Sequence, residues 1–370
     1  MSKINFSSRV MEIFEKLETS YDKVKNLMFD LYKNELDEGV TKKEAEDGLR
    51  KLSLEIFGLT KDSSKRDRKR AYEKYGREFF DVIEEVIDFT VPTGLKESEW
   101  FNKLVTYRSL KEGDENLFVN NGQDVVLSVA RMGKRHHDTM LQRLPEGETY
   151  SIDTDVYGAA VGSDIDKYLI GQEDWTKLID AVTKAFVTKI QELIFDELLA
   201  APSKLPVQAG FVETGALNAA NRKKFNKVLQ NVSVANDNAN VVILGTMVGL
   251  QELENLIKVD WIADSQKESV AKFGRLGNYG RYQLIEIPQR FAKNDVTQDV
   301  YDDNKLFIFA SGDEKLIDFV DVGETIIDEI TERGEANGNI SDLMKYEVQR
   351  EFGAAARLGR YFGTWEITED

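Results

Sequence analysis

The chain has no cysteine, only two histidines and no long apolar run, and each shortage closes off a class of function. Without cysteine there are no disulfides, thiolate metal sites or cysteine nucleophiles, and the composition suits a reducing cytoplasm. The two histidines are neighbours, His136 and His137, which leaves little material for imidazole chemistry. No apolar stretch approaches the roughly 20 residues a membrane helix needs, so no membrane partner is expected. The start, Met1-Ser2-Lys3-Ile4-Asn5-Phe6, lacks an apolar core segment, so no secretory leader is expected. Positive charge is also short. Against 66 Asp and Glu stand 49 Lys and Arg, a net charge of −17. The first 90 residues are near balance, with 18 basic and 20 acidic, so the deficit lies in the remainder, with 31 against 46. An acidic body disfavours general binding of DNA or RNA, which depends on neutralising phosphates. Beside nucleic acid, such a protein is expected to surround it rather than grip it.

What is present is a soluble globular composition, 41% apolar and 31% charged over 370 residues, enough for two or three domains. Residues 1–90 read as helices. Val10, Ile13, Phe14, Leu17, Tyr21, Val24, Leu27, Met28 and Leu31 recur at helical spacing and predict one helix. Thr41-Lys42-Lys43-Glu44 is a capping-box pattern, and the helix it opens is expected to end near Gly58. A third helix is expected from Arg66 to Phe89, and Val91-Pro92-Thr93-Gly94 is read as a break and a domain boundary.

Two strand-like runs follow, 124–132 and 149–156, around a polar, basic middle. An isolated two-stranded ribbon is marginal in water and is expected to lie on a neighbouring subunit. Next comes one long amphipathic helix, 173–199, with Leu178, Ile179, Val182, Phe186, Ile190, Leu193, Ile194 and Leu198 on one stripe and Pro202 after its end. Residues 205–335 read as mixed α/β. Helices are expected at 217–228 and 248–257, and strands at 241–244, 283–287 and 306–309. The tail, 345–367, reads as a strand pair returning to the central domain. A long arm leading into a long solitary helix suits a shell subunit better than an enzyme pocket.

Here the residues resemble a family. Tyr107-Arg108-Ser109-Leu110, Gly113-Asp114-Glu115-Asn116-Leu117-Phe118, Gln142-Arg143-Leu144 with Gly147-Glu148-Thr149-Tyr150, Tyr168-Leu169-Ile170-Gly171 and the tail 350–360 follow one another in an order similar to the major capsid proteins of tailed bacteriophages. The helices at 42–58 and 66–87 resemble a domain carried by one branch of that family. The resemblance implies an α+β, Hong Kong phage-type capsid fold with an added N-terminal helical domain. The implied units are a helical domain at 1–92, an N-arm and extended loop at 93–165, a peripheral domain with spine helix at 166–211, an axial domain at 212–332, and a C-terminal return to the peripheral domain at 333–370. The implied function is structural: hexamers and pentamers closing an icosahedral shell around double-stranded DNA, without sequence-specific binding. Implied partners are copies of itself, a portal, and scaffolding or decoration proteins. The implied location is the virion, after assembly in the bacterial host cytoplasm. An encapsulin-type bacterial compartment shell is the first alternative, and a soluble α/β enzyme acting on an anionic metabolite the second.

Arg131, Lys134, Arg135 and Arg143 place positive charge on the arm of an acidic protein and are candidate inter-subunit contacts, weighed against plain solvation. His136-His137-Asp138 is read as a polar loop tip, because adjacent histidines on a strand point to opposite faces and do not easily share an ion. The densest basic run, Lys65-Arg66-Asp67-Arg68-Lys69-Arg70, is read first as a solvated helix start, with DNA or a scaffold left open as its partner. Gly274, Gly277 and Gly280 do not have phosphate-loop spacing and read as a flexible axial loop. Acidic pairs such as Glu84-Glu85, Asp153/Asp155 and Asp302-Asp303 have no nucleophile or base beside them, so no catalytic, cofactor or metal-binding residues are assigned.

Overall fold

The computed structural model describes residues 6–33, 35–36, 40–120, 148–163, 165–170, 175–204, 210–256, 274–292, 295–311, 315–329, 344–356 and 361–368. Four helices open the chain. The single helix expected over 10–31 is two, α1 (Ser8–Lys16) and α2 (Tyr21–Lys33). The chain turns at Glu18, whose φ is 51°, and the Ser20 hydroxyl restarts the helix by accepting the Lys23 amide at 3.3 Å. Helix α3 (Lys42–Phe57) has the expected capping box, Thr41 and Glu44 each accepting the other's amide, and stops before Gly58.

Helix α4 (Lys65–Glu97) corrects the break read at 91–94, because it continues through Pro92 and Gly94. Its face there, Ile87, Val91 and Leu95, is at most 1% exposed, and this packing outweighs the lost backbone bond at proline. A short helix, α5 (Glu99–Leu104), then runs directly into the first strand.

Two sheets make the body. The first, in the order β1-β12-β13-β4, joins β1 (Val105–Leu110), β12 (Ile317–Glu329), β13 (Met344–Ala356) and β4 (Asp155–Ser163). The second, in the order β5-β14-β11-β6-β8-β7, joins β5 (Val212–Thr214), β14 (Phe362–Glu366), β11 (Lys305–Ser311), β6 (Asn240–Gly245), β8 (Tyr282–Glu286) and β7 (Asn278–Tyr279). Two small ribbons complete the strands. One pairs β2 (Phe118–Asn120) with β3 (Glu148–Tyr150), the other β9 (Phe291–Ala292) with β10 (Asp295–Asp299). The expected returning strand of 149–156 is thus two pieces, β3 and β4, in separate sheets.

Other expectations need correction. The tail's strands β13 and β14 do not pair with each other; one joins each sheet. Strand β12 lies beside β1, not with the strands of 212–311 with which it was grouped. The reading as flexible loop around Gly280 gives way to a β7–β8 hairpin, with Tyr279 opposite Tyr282 and Gly280 at φ 61° in the turn. Residues 217–221 are turns, and the helix expected there is α8 (Arg222–Ala235).

After the short α6 (Ile165–Leu169) comes the spine helix, α7 (Trp175–Lys204), which runs past Pro202. Ile179, Val182, Phe186, Ile190 and Ile194 are buried as its stripe predicts, and Phe195 joins them. With α4 and the inner face of the four-stranded sheet they form one continuous core, so the N-terminal helices share their core with the sheet. One face of the six-stranded sheet has its own core under α8, centred on Trp365, Phe225, Ile243, Leu306 and Ile308, while Val242, Leu244, Phe307 and Phe309 on its other face join the first core. Helix α9 (Met247–Gln251) adds Leu250 to the core under α8, against β6, β8 and β11. Among the described residues no helix is long and apolar enough to cross a membrane.

Candidate functional site: a polar seam beneath the arm root

Helix α4 carries Asp81, Glu84, Glu85 and Asp88 on one face, at the i, i+3, i+4, i+7 spacing that lines side chains up. This acidic face meets an irregularity in β12. Val322 pairs with Glu351 and Ile326 with Gln349, so residues 323–325 stand opposite the single residue Arg350. Gly323, at φ 72°, makes the turn that this bulge needs. A bulge frees backbone amides from the ladder, and here the carboxylates of α4 take them. Ile327 donates its amide to Glu84 Oε1 at 2.8 Å, and Thr325 donates its amide to Asp88 Oδ1 at 3.0 Å. The Thr325 hydroxyl donates to the same oxygen.

Arg350 fills the centre, 4% exposed. Its Nε and Nη2 grip both oxygens of Asp321 at 3.0 and 2.6 Å, while Nη1 donates to Asp88 at 2.8 Å and to Thr325 Oγ1 at 3.0 Å. Tyr107 on β1 donates its hydroxyl to Asp321 at 2.6 Å. The guanidinium therefore ties α4, β1, β12 and β13 together in one planar, directional contact. Burial holds Asp88 above the usual carboxylate range although Arg350 pulls it down. Burial pushes Glu84 up to about 6. Glu85, whose partner is the Tyr21 hydroxyl at 3.5 Å, is pushed up to about 7 by burial and by the charges of Asp88 and Glu324.

The arm leaves and returns on the far side of this seam. Residues 111–114 turn, with Lys111 donating its amide to Asp114 Oδ2 at 3.0 Å, and β2 then starts outward. Phe118 faces Tyr150 across the β2–β3 ribbon, their rings stacked 5.6 Å apart. With Leu110, Ile152 and Val320 they form a small apolar cluster that seats the ribbon on the sheet. Polar staples fix its direction. Tyr150 donates to Asp318, Thr154 to Glu351, Asn116 to the Ile152 carbonyl, and Arg108 to the Leu117 carbonyl. Gly353 lets the returning strand lie against β13, since a Cβ there would come within 2.2 Å of the Asp153 carbonyl oxygen.

Arg131, Lys134, Arg135 and Arg143, and with them His136-His137-Asp138, lie outside the described residues. Of the residues singled out in the sequence, Glu84-Glu85 is the pair that the structure brings into a site, as seam carboxylates. Asp88, Asp321, Thr325 and Tyr107 as partners of Arg350 were missed. The one signal for them was the acidic face of α4, too apolar in its other residues to be explained as solvated. Among the described residues no cluster of His, Asp or Glu is arranged to hold a metal ion. The seam organises the backbone at the bulge of β12.

A family model described as "SPbeta prophage-derived putative capsid protein YonB" matches residues 23–366. The chain belongs to this family of capsid proteins. No curated protein matches it. Among solved structures it is similar to the capsid of Ralstonia phage GP4, at 10% identity and a TM-score of 0.49, over 74% of this chain and 92% of that one. It is also similar to the mature capsid of bacteriophage PhiM1, at 12% identity and a TM-score of 0.47, over 72% and 86%. A virus-like particle from Pyrococcus furiosus gives 14% identity and a TM-score of 0.41, over 76% and 98%. Membership rests on the family match. An α+β body with an arm root, a spine helix and two separate sheets has the parts expected of a phage-type capsid fold.

Proposed function

We propose that this structural capsid protein is the major subunit of a tailed-phage head, closing hexamers and pentamers into an icosahedral shell around double-stranded DNA. The observation that carries the reading is the capsid-family match across residues 23–366. The arm root supports it: a ribbon seated on the sheet through Phe118 and Tyr150 and stapled there by Tyr150 and Thr154 is suited to aim a segment away from its own subunit. In this reading the four-stranded sheet with α7 is the peripheral unit and the six-stranded sheet the axial one. Arg131, Lys134, Arg135 and Arg143 on the arm meet an acidic neighbour. The N-terminal helices stay with the mature shell, because α4 is part of the peripheral core. A portal and scaffolding or decoration proteins are the further partners, and assembly takes place in the bacterial cytoplasm.

Electron microscopy of the purified protein, with co-expressed scaffold where needed, is expected to show closed shells, sheets or tubes. Deleting residues 133–147 is expected to leave a folded, soluble subunit that forms none. Normal shells from the deletion would remove the arm from the account.

A further inference from the structure

The tip of the α3–α4 hairpin is strongly basic. Residues 60–74 hold seven Lys and Arg against three Asp and Glu, within a chain of net charge −17. The start of α4 is held firmly. Ser64 accepts the Asp67 amide at 3.2 Å and donates to its carboxylate at 2.6 Å, and Arg68 turns back to the Ser63 carbonyl at 2.5 Å. Arg66, Lys69 and Arg70, at i, i+3 and i+4, are exposed on one face of that rigid turn. None of the three has a hydrogen bond or ion pair with a described residue. Cations at a helix N-terminus oppose the macrodipole, so folding stability does not account for them. Helix α8 offers the contrast. Its start is equally basic, but Lys224 is paired with Glu213 at 2.7 Å and Arg222 is engaged with Tyr279.

We propose that Arg66, Lys69 and Arg70 form a binding surface for the sugar–phosphate backbone of duplex DNA, which turns the hairpin tip toward the lumen of the shell. The proposal rests on the reading that the shell encloses DNA. Three cations along one helix face match a run of phosphates and read no bases.

The test is binding of full-length subunits to a fluorescent random-sequence duplex across a salt series. R66Q/K69Q/R70Q is compared with wild type and with K223Q/K227Q on α8. The tip variant is expected to keep its fold and to lower the slope of log affinity against log salt by about 3. Across an about fourfold rise in salt, it then loses about 40-fold less affinity than wild type loses. An unchanged slope, or an equal loss in the α8 variant, overturns the proposal. A tip variant that binds DNA normally but no longer assembles overturns it too, and points to a protein partner. The two readings fail separately: wild-type shells with an unaffected DNA slope sink this proposal alone, while absence of any shell from wild type sinks the head-protein reading whatever the duplex does.

Discussion

Both sheets rest on apolar cores, but a buried ionic seam crosses the four-stranded one. Under the six-stranded sheet, Trp365, Leu306, Ile308 and Ile243 are completely buried among other apolar side chains. Against the four-stranded sheet, buried Arg350, Asp321 and Glu84 are packed into a seam between distant parts of the chain. A dry core holds itself together through area and shape, and tolerates small shifts in direction. A buried ionic seam adds little net stability over an apolar one, but its bonds are directional and fail when one partner moves. The polar seam sits where the N-terminal helices, the arm root and the C-terminal strand must keep fixed angles. The dry core sits where one sheet and one helix need only stay together.

The largest expected effect breaks both regions and separates them. R350A strands Asp321 and Asp88 and is expected to cost about 3–5 kcal/mol in urea unfolding. W365A is expected to cost a similar amount, about 3–5 kcal/mol, through its cavity. The regions differ in where protection is lost. Hydrogen exchange in R350A is expected to rise in β3, the bulge of β12 and the middle of α4, whereas in W365A it rises in α8 and β14. Equal patterns in both variants would erase the comparison.

G353A comes next. Its Cβ meets a backbone carbonyl rather than a side chain, so the returning arm strand must shift, at about 1–3 kcal/mol. Exchange is expected to rise around 151–156 and not in the six-stranded sheet.

A pH series sharpens the contrast further. Glu84 and Glu85 keep their protons up to about 6 and 7 in the folded seam, above the ordinary glutamate value of 4.5. The native state therefore binds more protons across that window, and stability falls as pH rises through it. The melting temperature is expected to be higher near about pH 5.5 than near about pH 8, and E85Q is expected to flatten that difference and raise the value at the alkaline end. A wild-type melting temperature that rises with pH over this range would contradict the charge assignment.

The smallest effect is local. T41A removes the α3 cap and is expected to cost about 1 kcal/mol, seen as faster exchange in the first turn of α3.

What the sequence made legible was what is local in the chain. The Thr41–Glu44 box needs four residues, the α7 stripe needs only a period, and Gly245 ends β6 where the apolar run ends. The seam was not legible because Arg350 finds Asp321 29 residues away and Asp88 262 residues away, and nothing in either neighbourhood announces the other. Pro92 misled for a related reason: a local rule said stop, and tertiary packing on both sides of it said continue. The tail misled because alternation gives a strand but not its partner, so β13 and β14 read as a pair when each completes a different sheet.

The seam acts on the arm through the strands it locks, since β12 and β13 carry Asp318 and Glu351, to which the arm root is stapled. Electron microscopy of R350K beside wild type tests it most directly, because lysine keeps the charge but loses the planar grip on Asp321. The account predicts closed shells from wild type and, from R350K still folded at the assay temperature, few or misshapen particles. Particles from R350K that match wild type in yield and diameter would contradict it.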